Sequence, residues 1–178
     1  MRSHEMKPSP APDLMQHVYA ASVLRGRWFR SPSDTWTMAL FHRSSSGDDH
    51  VTGLTTPTPE AKAQVALTIE CALKATHSLE ALLVSPAWEA LVTPDIAARA
   101  DVSGGAATGI RRDEFVPERD GVEVLLFLHV GPAFAVTRSA PVLRRPGVLP
   151  VLAPLSPIRG EGIEVDGLFT DAMRRGIG

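Results

Sequence analysis

A single cysteine, Cys71, in 178 residues leaves the chain without an intrachain disulfide, which excludes a disulfide-stapled secreted scaffold and fits a reducing compartment. No apolar run approaches the ~18 uninterrupted residues that span a bilayer, and no basic-then-apolar leader opens the chain. The expectation is therefore a cytoplasmic protein with no membrane segment. Charge of one sign is also missing. The formal net charge is −2, and acids offset the arginine groups Arg25/Arg27/Arg30, Arg111/Arg112, Arg144/Arg145 and Arg174/Arg175, so no field draws in nucleic acid. Glycines at Ser103-Gly104-Gly105 and Gly160-Glu161-Gly162 form neither a Walker loop nor a dinucleotide fingerprint, so no cofactor is expected. Few lysines and no asparagine, beside abundant Ala, Arg, Gly and Pro, point to a high-GC bacterial genome.

Apolar residues make up 44% of the chain and charged residues 21%, the balance of an ordinary globular protein. At this length one domain can bury roughly two thirds of its unfolded surface. Its centre is Asp120 to Arg138. Val122, Val124, Leu126, Leu128 and Val130 would face one side of a strand, and Leu125, Phe127 and His129 the other. Both sides are mostly apolar, which predicts a central strand covered twice, with Leu126 among its core positions. Gly131-Pro132 breaks the run before Ala133 to Arg138 resumes it, the pattern of a hairpin.

Three prolines within residues 1–12 predict a disordered lead-in. Asp13 with Gln16 has capping-box spacing, and Leu14, Val18 and Ala21 continue a helical stripe to about residue 25, with Gly26 as its C′ residue. Thr35 to Arg43 alternates as a strand, Ser44 to Asp49 reads as a turn, and His50 to Thr56 returns. A second helix is expected over 59–76. Thr58 is its N-cap candidate, Val65, Ile69, Ala72, Leu73 and Thr76 share one face, and Leu67 and Cys71 sit opposite, implying burial on both faces or an interface. Leu79 to Ser85 reads as a short strand ended by Pro86. Asp95 to Ala100 suggests a short helix, and residues 101–114, carrying Ser103 to Gly109, a flexible loop. Pro141, Pro146, Pro150, Pro154 and Pro157 divide the following apolar pieces into edge strand or wall, away from the central sheet. Asp166 caps a last helix over 167–175.

Chemistry is thinly signposted. His42 and His50, with Asp48 and Asp49 between them, are the candidate metal ligands, since two histidines on facing strands can supply two nitrogens to zinc; Ser44 to Asp49 is equally a solvated turn. His129 ends an apolar strand beside Gly131-Pro132, so it is either a buried histidine held by a partner or part of a binding site. Cys71 with His129 is a conceivable nucleophile and base, but nothing around Cys71 carries a catalytic signature. Trp88, after Ser85-Pro86-Ala87, is either a lid on the core or an anchor for a partner.

The sequence predicts one α+β domain over 13–178, with a mainly antiparallel sheet of about five or six strands and helices at 13–25, 59–76 and 167–175 packed on it. The expected function is non-catalytic: contact with another protein, or with itself as a homodimer, using Trp88 and His129. The rival is a small hydrolase or metal-dependent enzyme using His42, His50 or His129.

Overall fold

The computed structural model describes residues 13–25, 31, 33, 36–55, 58, 60–90, 121–156 and 167–177. The lead-in, Gly26, the 95–100 helix, the 101–114 loop, Pro157, Gly160-Glu161-Gly162 and Asp166 lie outside them. In chain order the elements are α1 (Leu14–Arg25), β1 (Ala39–Ser44), β2 (Asp49–Gly53), α2 (Lys62–Ala75), β3 (Ser78–Ala90), β4 (Gly121–Gly131), β5 (Phe134–Arg145), β6 (Val148–Leu152) and α3 (Leu168–Gly176). The six strands form one antiparallel sheet in the order β2-β1-β3-β4-β5-β6. This is the expected α+β arrangement, with three helices and six strands.

Period-2 alternation sorts the apolar side chains onto two faces. Phe41, Leu82, Val84, Leu125, Phe127 and Val142 point to one core, closed by Leu14, Met15 and Val18 of α1. Leu40, Ala81, Leu83, Leu128 and Val130 point to the other, closed by Ile69 and Leu73 of α2 and Ala172 and Met173 of α3. The covered strand is β4, as its two apolar sides required. Leu126 is only half-buried, however, whereas Phe127 is fully buried with its ring edge-on to Tyr19 at 6.2 Å.

Asp13 caps α1 as expected: its Oδ1 accepts from Met15 N at 3.0 Å and its carbonyl from His17 N at 2.9 Å. Thr58 does not cap α2. The helix starts at Lys62 after Ala61, and Thr58 instead closes a turn, its carbonyl accepting from Ala61 N at 3.1 Å. Among the described residues the outer side of α2 meets no core: Leu67 and Cys71 are both exposed. At its other end His77 adopts φ 49°, the left-handed turn that glycine usually fills after a helix. Gly176 lets α3 approach α2, because a Cβ there would lie 2.8 Å from Leu73 Cβ. Glu70 ties the same pair together through Arg175 at 2.8 Å.

Two prolines sit where the sequence argues against sheet. Pro86 does not end β3, which continues to Ala90 with Pro86 opposite Leu125. Pairing with β1 stops at Ala39↔Val84, so from Ser85 onward β3 is an edge on that side among the described residues, where a proline is tolerated. Pro141 lies inside β5, a strand flanked by β4 and β6. Its carbonyl accepts from Ala153 N at 2.9 Å, so its backbone polar side, and its missing N–H, face the β6 flank and leave the β4 ladder whole.

Candidate functional site

The sheet separates the candidate residues. Successive strand side chains alternate, so His129, in step with Leu125 and Phe127, lies on the α1 face. His42, in step with Leu40, lies on the α2 face, opposite His50. Cys71 is exposed on α2, across the sheet from His129, so the two cannot act as nucleophile and base. Trp88 is six residues from Leu82, the partner of His129, which places it about 20 Å away along the strand. It stands within β3 opposite Glu123 and is 44% exposed, so it is not sealed into the core.

His42 is sealed in a cage of hydroxyls. It is 2% exposed, with Nδ1 2.8 Å from Ser78 Oγ and 3.2 Å from Thr76 Oγ1, and Nε2 3.5 Å from Thr52 Oγ1. Its ring stacks on that of His50, centroids 5.2 Å apart and planes inclined by 20°. Burial lowers its pKa below the ordinary value, and the neighbouring His50 lowers it further. Parallel stacked rings do not aim two nitrogens at a shared point, and no group of three His, Cys, Asp or Glu among the described residues has metal-binding geometry. The Ser44 to Asp49 turn is closed by its own residues: Ser44 N donates to Asp48 O at 2.9 Å, and Gly47 N to Ser44 O at 3.0 Å.

His129 belongs to a run of charges that sequence spacing could not show. It is 4% exposed, and Nε2 lies 3.0 Å from Glu80 Oε2 while Nδ1 lies 3.3 Å from Asp13 Oδ1. Glu80 Oε1 accepts from Arg43 Nη1 at 3.1 Å, and Arg43 Nε donates to Asp49 Oδ1 at 2.7 Å. The bond from Arg43 is the chief cause holding the Asp49 carboxyl below its ordinary pKa. The Phe134 ring stands edge-on to His129 at 4.9 Å, over Gly131, where any Cβ would strike it. These five polar groups join α1, β1, β2, β3 and β4. Register sets Arg43 opposite Asp49 on one side and Glu80 on the other. Both nitrogens of His129 thus face carboxylates, Glu80 at Nε2 and Asp13 at Nδ1.

The surface offers a different feature. Leu143, Val148, Leu149 and Val151, on the β5–β6 hairpin, are each between 44% and 55% exposed and border a concavity of about 200 Å³ with Arg145. Leu143 and Val151 are directly paired. Val142 and Leu152 beside them point to the α1 core, so Leu143 and Val151 project from the other face, beyond the reach of α2 and α3. The spacing of Val148-Leu149 and Val151-Leu152 marks these residues as apolar, but not which of them the helices leave uncovered. No family model, curated protein or solved structure matches the chain.

Proposed function

We propose that this is a non-catalytic protein that acts through protein contact, as a homodimer built on the apolar face of the β5–β6 hairpin. The observation that carries this reading is the uncovered cross-strand pair Leu143↔Val151 with Leu149 and Val148 beside it. Contiguous exposed apolar side chains are uncommon on a monomer and characteristic of interaction sites. The strand edge is a poorer contact than the face. Ala153 N turns inward to Pro141 O, so by alternation Leu152 and Pro150 turn their backbone outward, and Pro150 has no N–H to offer a further strand.

The patch favours a second copy as its occupant. Homodimer interfaces have the most apolar cores, and among the described residues Arg145 is the one charged residue lining this concavity. A two-fold axis over the patch would stack two sheets about 10 Å apart and bury the same four side chains in both copies. A net charge of −2 gives the copies little repulsion. Four half-exposed side chains are the centre of such an interface and fall short of the ~800 Å² per partner of a tight complex, so the affinity expected is micromolar. Exposed Cys71 fits a reducing, cytoplasmic setting. Among the described residues no helix is long and apolar enough to cross a membrane.

Light scattering across a micromolar concentration series tests this. The wild-type mass should rise from 19.1 kDa toward twice that value, and Leu143→Lys/Val151→Lys should remain at 19.1 kDa while keeping its fold. A wild type that stays monomeric throughout the series overturns the dimer. The rival enzyme reading predicts instead stoichiometric zinc on elemental analysis, lost in His42→Ala or His50→Ala.

A further inference from the structure

The two ends of the sheet differ in what their edges offer. At β6 the outward backbone includes Pro150, which has no N–H, whereas β2, at the other end of the strand order, contains no proline. The backbone directions of β2 follow from its ladder to β1. Leu54 N donates to Met38 O at 2.9 Å and Ser44 N to Asp48 O at 2.9 Å, so Asp48, His50, Thr52 and Leu54 turn their polar groups inward. By alternation Asp49, Val51 and Gly53 turn N–H and C=O outward, and among the described residues no strand lies beyond them. We propose that β2 is a docking edge for an extended peptide of a partner protein, which adds as a further antiparallel strand and carries an aliphatic residue two positions before a basic one.

The edge specifies its occupant through backbone, shape and charge. Outward N–H and C=O groups at every second residue are matched by another extended backbone, and antiparallel pairing continues the pattern of the whole sheet. Gly53 leaves room for an incoming strand, since even a Cβ there would meet nothing within 4 Å. Val51 is 62% exposed and pairs with Phe41, so it lies on the α1 face. Beside it a cavity of about 150 Å³ opens between α1 and the strands, lined by Leu14, Val18, Phe41 and Val51. A residue added opposite Val51 shares its face and brings its side chain to this cavity, which has room for one aliphatic group. Asp49, two positions back on the same face, forms the cavity's polar margin with His17. Arg43 divides its charge between Asp49 and Glu80, and Asp48 adds another carboxylate, so this end of the edge carries excess negative charge. In antiparallel register the partner residue opposite Asp49 lies two positions after the aliphatic one, and a lysine or arginine there meets that charge. The contact is independent of the β5–β6 face, which lies at the opposite end of the strand order.

The test titrates the capped peptide Thr-Thr-Ile-Thr-Lys-Thr, to millimolar concentration, into the isotope-labelled full chain and follows amide NMR. The amides of Asp49, Val51 and Gly53 should shift together, and NOEs should join the isoleucine methyls to those of Val51. Methylating the isoleucine nitrogen removes a ladder donor and should abolish the shifts. Methylating the next threonine nitrogen, which points away from β2, should leave them. Exchanging the lysine for glutamate should weaken binding roughly fivefold, as an attractive cross-strand pair becomes repulsive. Val51→Pro removes the outward N–H while the ladder through His50 and Thr52 stays whole, so it should lose the peptide with β1 amides unmoved. Four results overturn the docking edge: no binding at millimolar peptide, equal effects of the two methylations, no loss on the glutamate exchange, or slow exchange of the Val51 amide in the free protein. The last would show the edge already covered, by this chain or by a second copy.

Discussion

Replacing Phe127 by alanine tests where the core lies. The ring is fully buried, packed with Leu82, Val84 and Leu125 of the sheet, and edge-on to Tyr19 of α1. Truncation removes that packing and leaves a cavity that a six-stranded sheet cannot close by shifting one strand, so a loss of about 3–5 kcal/mol is expected. Its neighbour is the control. Leu126 is half-buried on the opposite face, so Leu126→Ala has less transfer energy to lose and a site open enough to relax, for about 1–2 kcal/mol. A domain of this size is stable by roughly 5–15 kcal/mol, so the first variant forfeits a large share of its stability and the second a modest one. Urea melts followed by tryptophan fluorescence resolve that difference in midpoint at unchanged slope. Equal losses, or a larger one at Leu126, would refute the placement of Phe127 rather than Leu126 as the buried position of β4.

His42 predicts a pH dependence. Its folded pKa is lowered from 6.5, so the unfolded chain takes up a proton first, and stability is full above that value and falls as pH drops through it toward the folded value. His42→Gln should flatten this step in melts between about pH 7 and pH 5, and an unchanged slope would count against the buried neutral ring. His77→Gly relieves a left-handed conformation at φ 49° and should raise the urea midpoint by the equivalent of ~0.5–1 kcal/mol. Gly176→Ala forces a Cβ to 2.8 Å from Leu73 Cβ, so α3 must shift off α2, and thermal melts should show a loss of ~1–3 kcal/mol despite alanine's better helix propensity.

The architecture was legible wherever hydrophobic period spoke without competition. The two-sided apolar run at Val122 to Val130 announced a covered strand, and Asp13 announced a helix start. Proline misled the reading at Pro86 and Pro141, because the penalty depends on which flank the missing N–H faces, and that is set by pairing rather than by the residue. Thr58 misled it because its Oγ1, suited to capping, accepts from Ala61 N at 3.4 Å within a turn that precedes the helix start at Lys62. Of the candidate site residues, His42 and His50 were correctly placed on facing strands, yet their stacking depends on rotamers. The surroundings of His129 depend on Asp13, Glu80 and Arg43, distant in sequence and gathered only by sheet order. The exposed hairpin face follows from where α2 and α3 end, a tertiary outcome that no local pattern encodes.

The central claim is that two copies meet through one face of the β5–β6 hairpin. Its most direct test is an isotope-filtered NOE measurement on an equimolar mixture of methyl-labelled and unlabelled protein at a concentration well above micromolar. Intermolecular contacts should link the methyls of Leu143, Leu149 and Val151 with those of the second copy. No intermolecular signal, or signal confined to Leu67 or Trp88, would contradict the account.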